Sequence, residues 1–163
     1  MSITFNADEV FEMAEQIERN GAKYYRRAAE FIKDEEAHQM LISLAEMEDS
    51  HEKIFTAMRA KITAKESEAT AYDPEELTGK YLKALADGSV FDMSVDPSAK
   101  LTAETSLVEI LKYALQMEKE SIVFYTGMKM YVPESLGHKQ LDAIIEEEFS
   151  HITLISMLLN TWG

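Results

Sequence analysis

Apolar residues along this chain recur every three to four positions through four long segments, the spacing of helices that each bury one face. In the first, Phe11, Ala14, Glu18, Gly21, Tyr25, Ala28 and Ile32 form a single stripe. It opens at "NADE", where Asn6 can cap the helix and Glu9 can reach back to complete a capping box. The second runs from about Asp34 to Ala64, with Leu41, Leu44, Glu48, His51, Phe55 and Met58 on one face. The third follows Thr102 and carries Leu107, Leu111, Ala114, Glu118, Ser121, Tyr125 and Met128. It should stop before Pro133, because proline disfavours helix at the residue preceding it. The fourth covers roughly Ser135 to Asn160, with Leu141, Ile144, Glu148, His151, Ile155 and Leu158 inward.

The connection over residues 65–102 includes "DPEELTGKYLKALADG", with Asp73 as cap, Pro74 at the first helical position and Gly88 as a stop. That pattern predicts a short extra helix. The expected architecture is all-α: an antiparallel four-helix bundle of two hairpins (residues 1–64 and 103–163) joined by a long crossover, in one domain spanning 1–163. The halves also repeat at an offset of one hundred. Ala14, Glu18 and Tyr25 become Ala114, Glu118 and Tyr125, while Leu41, Glu46, Glu48, Ser50 and His51 become Leu141, Glu146, Glu148, Ser150 and His151. An internal duplication and a pseudo-twofold bundle follow.

Six polar side chains interrupt the inward stripes: Glu18, Glu48, His51, Glu118, Glu148 and His151. A Glu and a His three positions apart sit about 60° apart around a helix and ~4.5 Å along it, so both can aim at one point. Four carboxylates buried together raise one another's pKa and are costly unless cations neutralise them. Two metal ions resolve this, two Glu bridging while each ion takes one His and one terminal Glu. Carboxylate and imidazole donors suit iron or manganese and also accept zinc. Two single Glu plus two Glu-x-x-His form the di-metal carboxylate pattern of helix bundles. A third Glu-x-x-His, Glu35–His38, is out of phase, its His about 140° from the ligand face. Both of its residues are expected to face solvent, and so is His138. Tyr25 and Tyr125, seven residues after Glu18 and Glu118, lie where either could hydrogen-bond a ligand carboxylate. Met47, Met117 and Met157 are expected to pack.

Composition narrows the chemistry further. Net charge is −14, from 30 acidic and 16 basic residues, which offers nothing to neutralise nucleic-acid phosphates or anionic membranes. The absence of cysteine excludes disulfides, thiolate zinc sites and iron–sulfur centres. "MSITFNADEVFEMAEQ" lacks the basic and apolar regions of a secretory signal, so a cytoplasmic location is the expectation.

With "AEQIERNGAKYYRRAA" in the first helix, "ALQMEKESIVFY" in the third and the two Glu-x-x-His segments, the chain resembles the rubrerythrin-related branch of the ferritin-like superfamily. The resemblance spans both hairpins, while the crossover is long for the family. It implies a diiron site held by Glu18, Glu118, Glu48/His51 and Glu148/His151. Rubrerythrins reduce hydrogen peroxide with electrons from a Cys-rich rubredoxin-like centre. Lacking cysteine, this chain would need a separate electron donor. The further Glu that rubrerythrins carry three residues after the helix-three ligand is here Ser121, which leaves six ligands, as in ferritin and bacterioferritin sites.

The expected function is thus an oxidoreductase reducing peroxide or dioxygen at two metal ions, iron first, with manganese or zinc as alternatives. Glu18 and Glu118 would be terminal, Glu48 and Glu148 bridging, and one His would serve each ion. Tyr25 or Tyr125 would donate a hydrogen bond or proton. Rival readings are iron handling or storage with ferroxidase chemistry, oxygenation of an organic substrate, and a redox-inert zinc or manganese site. A homodimer is the expected assembly, and the long crossover would allow hairpins to exchange between subunits.

Overall fold

The computed structural model describes residues 5–63, 80–81, 84 and 94–163. Four long helices match the four periodic segments: α1 (Ala7–Ala29), α2 (Glu35–Arg59), α3 (Leu107–Tyr131) and α4 (His138–Trp162). No strand occurs among the described residues.

The helix starts follow from their caps. Asn6 Oδ1 accepts from the Glu9 N–H, and Glu9 Oε2 accepts from the Asn6 N–H, both at 2.9 Å. Such a cap contributes about 1 kcal/mol. Asp34 caps α2 by accepting from the Ala37 N–H at 2.9 Å. α3 starts later than the Thr102 boundary suggests, because the Thr102 N–H donates to Thr105 Oγ1 at 3.0 Å and closes a turn. Ser106 and Glu109 then form a second capping box.

The ends are equally specific. α2 stops at Arg59, short of Ala64. Arg59 donates to Asp8 at 2.7 and 2.9 Å and to Glu15 at 3.2 Å, which ties the last turn of α2 to the start of α1. Met58 is the last α2 side chain buried in the core. α3 ends ahead of Pro133, as expected. A 3₁₀ turn, Glu134–Leu136, and Gly137 then reverse the chain, so α4 begins at His138 rather than near Ser135. Gly137 has φ of 111°, and a Cβ there would stand 2.7 Å from Met58 Cε. The left-handed backbone calls for glycine, whereas the Met58 methyl could move aside.

α1 and α2 form one hairpin and α3 and α4 the other; α1 packs on α3 and α2 on α4. Of the extra helix expected from Asp73 to Gly88, only Lys80, Tyr81 and Ala84 are described, each helical; the rest lies outside the described residues. A 3₁₀ turn at Pro97–Lys100 rests against α1, where Lys23 pairs with Asp96.

The apolar core falls into two clusters. One gathers Phe11, Phe55, Phe124, Met128, Leu141 and Ile144, and the other Tyr24, Leu41, Leu44, Ile110, Leu111 and Ile155. Met47 is partly buried and Met117 buried, but Met157 points outward and stays exposed, contrary to the packing role expected of it. His38 and His138 are also not free solvent-facing groups. Each is half-buried, and each ring meets a carbonyl at the end of the preceding helix: His38 Nδ1 lies 2.9 Å from Ala29 O and His138 Nε2 2.8 Å from Val132 O. Both staple a helix start to the turn before it.

Candidate metal centre

A polar layer separates the two apolar clusters. Glu18 of α1, Glu118 of α3, Glu48 and His51 of α2, and Glu148 and His151 of α4 all enter it, none more than 5 % exposed. All six side chains singled out by helical phase meet there. Each Glu-x-x-His pair lies within one turn, so its two side chains leave the helix on the same side.

They fall into two overlapping groups. Glu18, Glu48, His51 and Glu148 form one; Glu48, Glu118, Glu148 and His151 form the other. Within each group, one donor atom from every residue lies within 4.8 Å of the others. Glu48 and Glu148 belong to both. Both histidines turn Nδ1 inward. His51 Nδ1 lies 3.0 Å from Glu148 Oε1 and 3.5 Å from Glu18 Oε2. His151 Nδ1 lies 3.2 Å from Glu48 Oε1, 3.2 Å from Glu148 Oε2 and 3.5 Å from Glu118 Oε2. The two rings stack, with centroids 5.6 Å apart.

Many of these atoms have no hydrogen-bond partner among the described residues. They include Glu18 Oε2, Glu48 Oε1, both Glu148 oxygens and both inward Nδ1 atoms. Buried polar atoms are nearly always hydrogen-bonded, so unpartnered oxygens and nitrogens concentrated at one point mark a cradle for cations. The carboxylate–imidazole set suits iron, manganese or zinc, and the residues present fit a pair of such ions.

Without cations, protons do the neutralising. Burial and the charges of Glu48 and Glu148 hold the Glu18 carboxyl well above its usual range. Burial, with Glu48 and Glu118 alongside, pushes Glu148 up to about 8. Burial also presses on Glu118, but the neighbouring Glu148 and His151 and the bond from Tyr25 outweigh that and hold it low. Desolvation works against the imidazolium of His51, yet the facing Glu148 and Glu18 carboxylates carry it up to about 11. His151 is raised against the same desolvation by Glu118, Glu148 and Glu48.

The tyrosines complete the layer by crossing it. Tyr25 Oη donates to Glu118 Oε1 and Tyr125 Oη to Glu18 Oε1. Both phenols are fully buried, and burial beside carboxylates raises them well above their ordinary value.

Two features escaped the sequence. Glu147, an exposed residue of α4, bonds His51 Nε2 at 2.8 Å; it lies off the inward stripe, and only the packing of α2 on α4 brings it near. The other is a small opening between α1 and α3, lined by Ile17, Asn20, Gly21, Tyr25, Glu48, Met117, Glu118 and Ser121. Gly21 leaves room beside Glu48: a Cβ there would lie 3.3 Å from Glu48 Cγ. The space a water centre can occupy in this opening is about 10 Å³, roughly that of a single water.

No family model and no curated protein matches the chain. It is similar in structure to a candidate ferritin-like diiron-carboxylate protein of Thermotoga maritima, with a TM-score of 0.73 and 20 % sequence identity over 100 % of both chains. The fold is ferritin-like. No described helix is long and apolar enough to cross a membrane.

Proposed function

We propose that the buried layer binds two metal ions, iron first, and that the protein is an oxidoreductase reducing hydrogen peroxide or dioxygen with electrons from a separate donor. The observation that carries this reading is the pair of overlapping donor groups sharing Glu48 and Glu148, their inward atoms otherwise unpartnered. The rubrerythrin-like motifs and the diiron-carboxylate description of the Thermotoga structure agree with it.

Glu18 and His51 would hold one ion and Glu118 and His151 the other, with Glu48 and Glu148 shared. Two irons bound there would supply electrons and polarise an O–O bond. The chain's own contributions are positional. The crossed tyrosines orient the terminal carboxylates and hold a phenolic proton beside each. The apolar clusters above and below exclude bulk water. The opening beside Gly21 and Ser121 has room for a molecule about the size of water, which counts against a bulky organic substrate.

The test is anaerobic loading with ferrous iron, followed by rapid mixing with peroxide or dioxygen while absorbance is monitored. Fast oxidation at two irons per chain is expected. Fully loaded protein that does not oxidise would overturn the redox reading, and a large hollow particle by light scattering would shift it to iron storage.

A further inference from the structure

We infer that the two metal subsites are unequal, and that Glu147 makes them so by positioning His51 while His151 has no such support. The inference rests on the di-metal reading and concerns the two outward-facing ring nitrogens.

Each histidine aims Nδ1 at the centre, so its second nitrogen, Nε2, points away. His51 Nε2 meets Glu147 Oε2 at 2.8 Å. His151 Nε2 is buried with no hydrogen-bond partner among the described residues. A neutral imidazole that gives its Nδ1 lone pair to a metal must carry its proton on Nε2. A carboxylate accepting that N–H selects the tautomer, fixes the ring's orientation and makes the ligating nitrogen more basic. His51 has all three advantages. For His151, the N–H stays buried without an acceptor, which costs the desolvation of that group.

The difference traces to one position in the duplicated sequence. Glu147 corresponds to Met47 at the offset of one hundred that relates His151 to His51. Under the pseudo-twofold, residue 47 bears to His151 the relation that Glu147 bears to His51. Methionine offers only a thioether, a weak acceptor, and Met47 packs against the apolar cluster of Tyr24 and Leu44 instead. The Glu147 side chain is 55 % exposed, so replacing it leaves the core intact.

Metal should therefore enter in two steps, first at the subsite of Glu18 and His51, then at that of Glu118 and His151. The loss of such a carboxylate partner typically lowers metal affinity about 10–100-fold, and the two steps should differ by that order. The test is an anaerobic cobalt(II) titration of the metal-free chain, followed by calorimetry and visible absorbance. Wild type should show two resolved steps. Glu147→Ala should weaken the first until the steps merge, with the metal-free protein still folded and its unfolding midpoint lowered only by the loss of the bond to His51 Nε2. Glu147→Gln, which keeps an acceptor oxygen, should retain part of the separation. Met47→Glu should strengthen the second step. Two cobalt ions binding wild type in one indistinguishable step would overturn the inference while leaving the di-metal reading intact. Glu147→Ala weakening both steps equally, or neither, would do the same. No cobalt binding by wild type would overturn both.

Discussion

Tyr25 stands on the same helix as Glu18, two turns further along, yet its hydroxyl donates to Glu118 on α3. Tyr125 reciprocates by donating to Glu18. The exchange knits the two halves of the duplication across the polar layer, since each half supplies the hydroxyl that orients the other's terminal carboxylate. Replacing Tyr25 with Phe should therefore act on the Glu118 subsite. A metal titration of Tyr25→Phe should show one ion weakened, by up to the roughly 10–100-fold typical of such supporting partners. Tyr125→Phe should weaken the other, and the double variant both. Unchanged affinities in both single variants would remove the tyrosines from the site.

The same layer should make the stability of the metal-free chain, and the stabilisation that metal adds to it, depend on pH in opposite ways. Glu148 is held at about 8 in the folded chain, against an ordinary carboxylate near 4.5. His51 is held at about 11, against 6.5. In both cases the folded state keeps a proton that the unfolded state has already released. The slope of stability with pH is then negative: the Glu148 contribution is complete below 4.5 and fades up to about 8, and the His51 contribution fades between 6.5 and about 11. In chelator, the unfolding midpoint should fall from pH 6 to pH 9. Metal binding displaces those protons, so the stabilisation gained from added metal should grow over the same interval. A metal-free midpoint that climbs with pH would contradict these assignments.

At Gly21 the prediction concerns space. A Cβ would press on Glu48 Cγ at 3.3 Å, a distance that requires Glu48 to shift by a few tenths of an ångström. Because Glu48 belongs to both donor groups, Gly21→Ala should weaken both metal ions together. Helix propensity pulls the other way, favouring Ala by about 1 kcal/mol. The metal-free variant should then be as stable as wild type or more so, which calorimetry with and without metal can check.

Arg59 offers a control far from the chemistry. Its bonds to Asp8 and Glu15 are partly exposed, and a pair of this kind contributes about 1 kcal/mol or less. Arg59→Ala should lower the denaturation midpoint by that small amount and leave metal stoichiometry at two. The Arg59 bonds hold the Asp8 carboxyl below its usual range. Their contribution is present above pH 4 and disappears as pH drops through the lowered value, so acid should erase the difference between variant and wild type.

The inward phase of Glu18, Glu48, His51, Glu118, Glu148 and His151 is legible in sequence because each falls on a stripe otherwise made of Leu, Ala, Phe and Tyr. Their agreement between halves removes the ambiguity of any one Glu-x-x-His. Less legible are features that depend on how helices sit against one another. Glu147 follows an ordinary exposed pattern on α4, and only its approach to α2 gives it a partner. The tyrosines share a stripe with their own glutamates, so sequence alone does not reveal the crossing. His38 and His138 read as surface residues by phase, because phase carries no information about carbonyls left open at the end of a preceding helix. The tie between the end of α2 and the start of α1 likewise depends on Arg59 finding Asp8 and Glu15 on another helix.

The sharing of Glu48 and Glu148 is the feature on which the di-metal reading turns, and metal stoichiometry tests it most directly. Iron per chain should be measured after anaerobic reconstitution of wild type, Glu18→Ala and Glu48→Ala. Two irons in wild type, one in Glu18→Ala and none held tightly in Glu48→Ala are expected, because Glu18 belongs to one donor group and Glu48 to both. A wild-type chain that retains no iron, or a Glu48→Ala variant that still holds two, would contradict the shared centre.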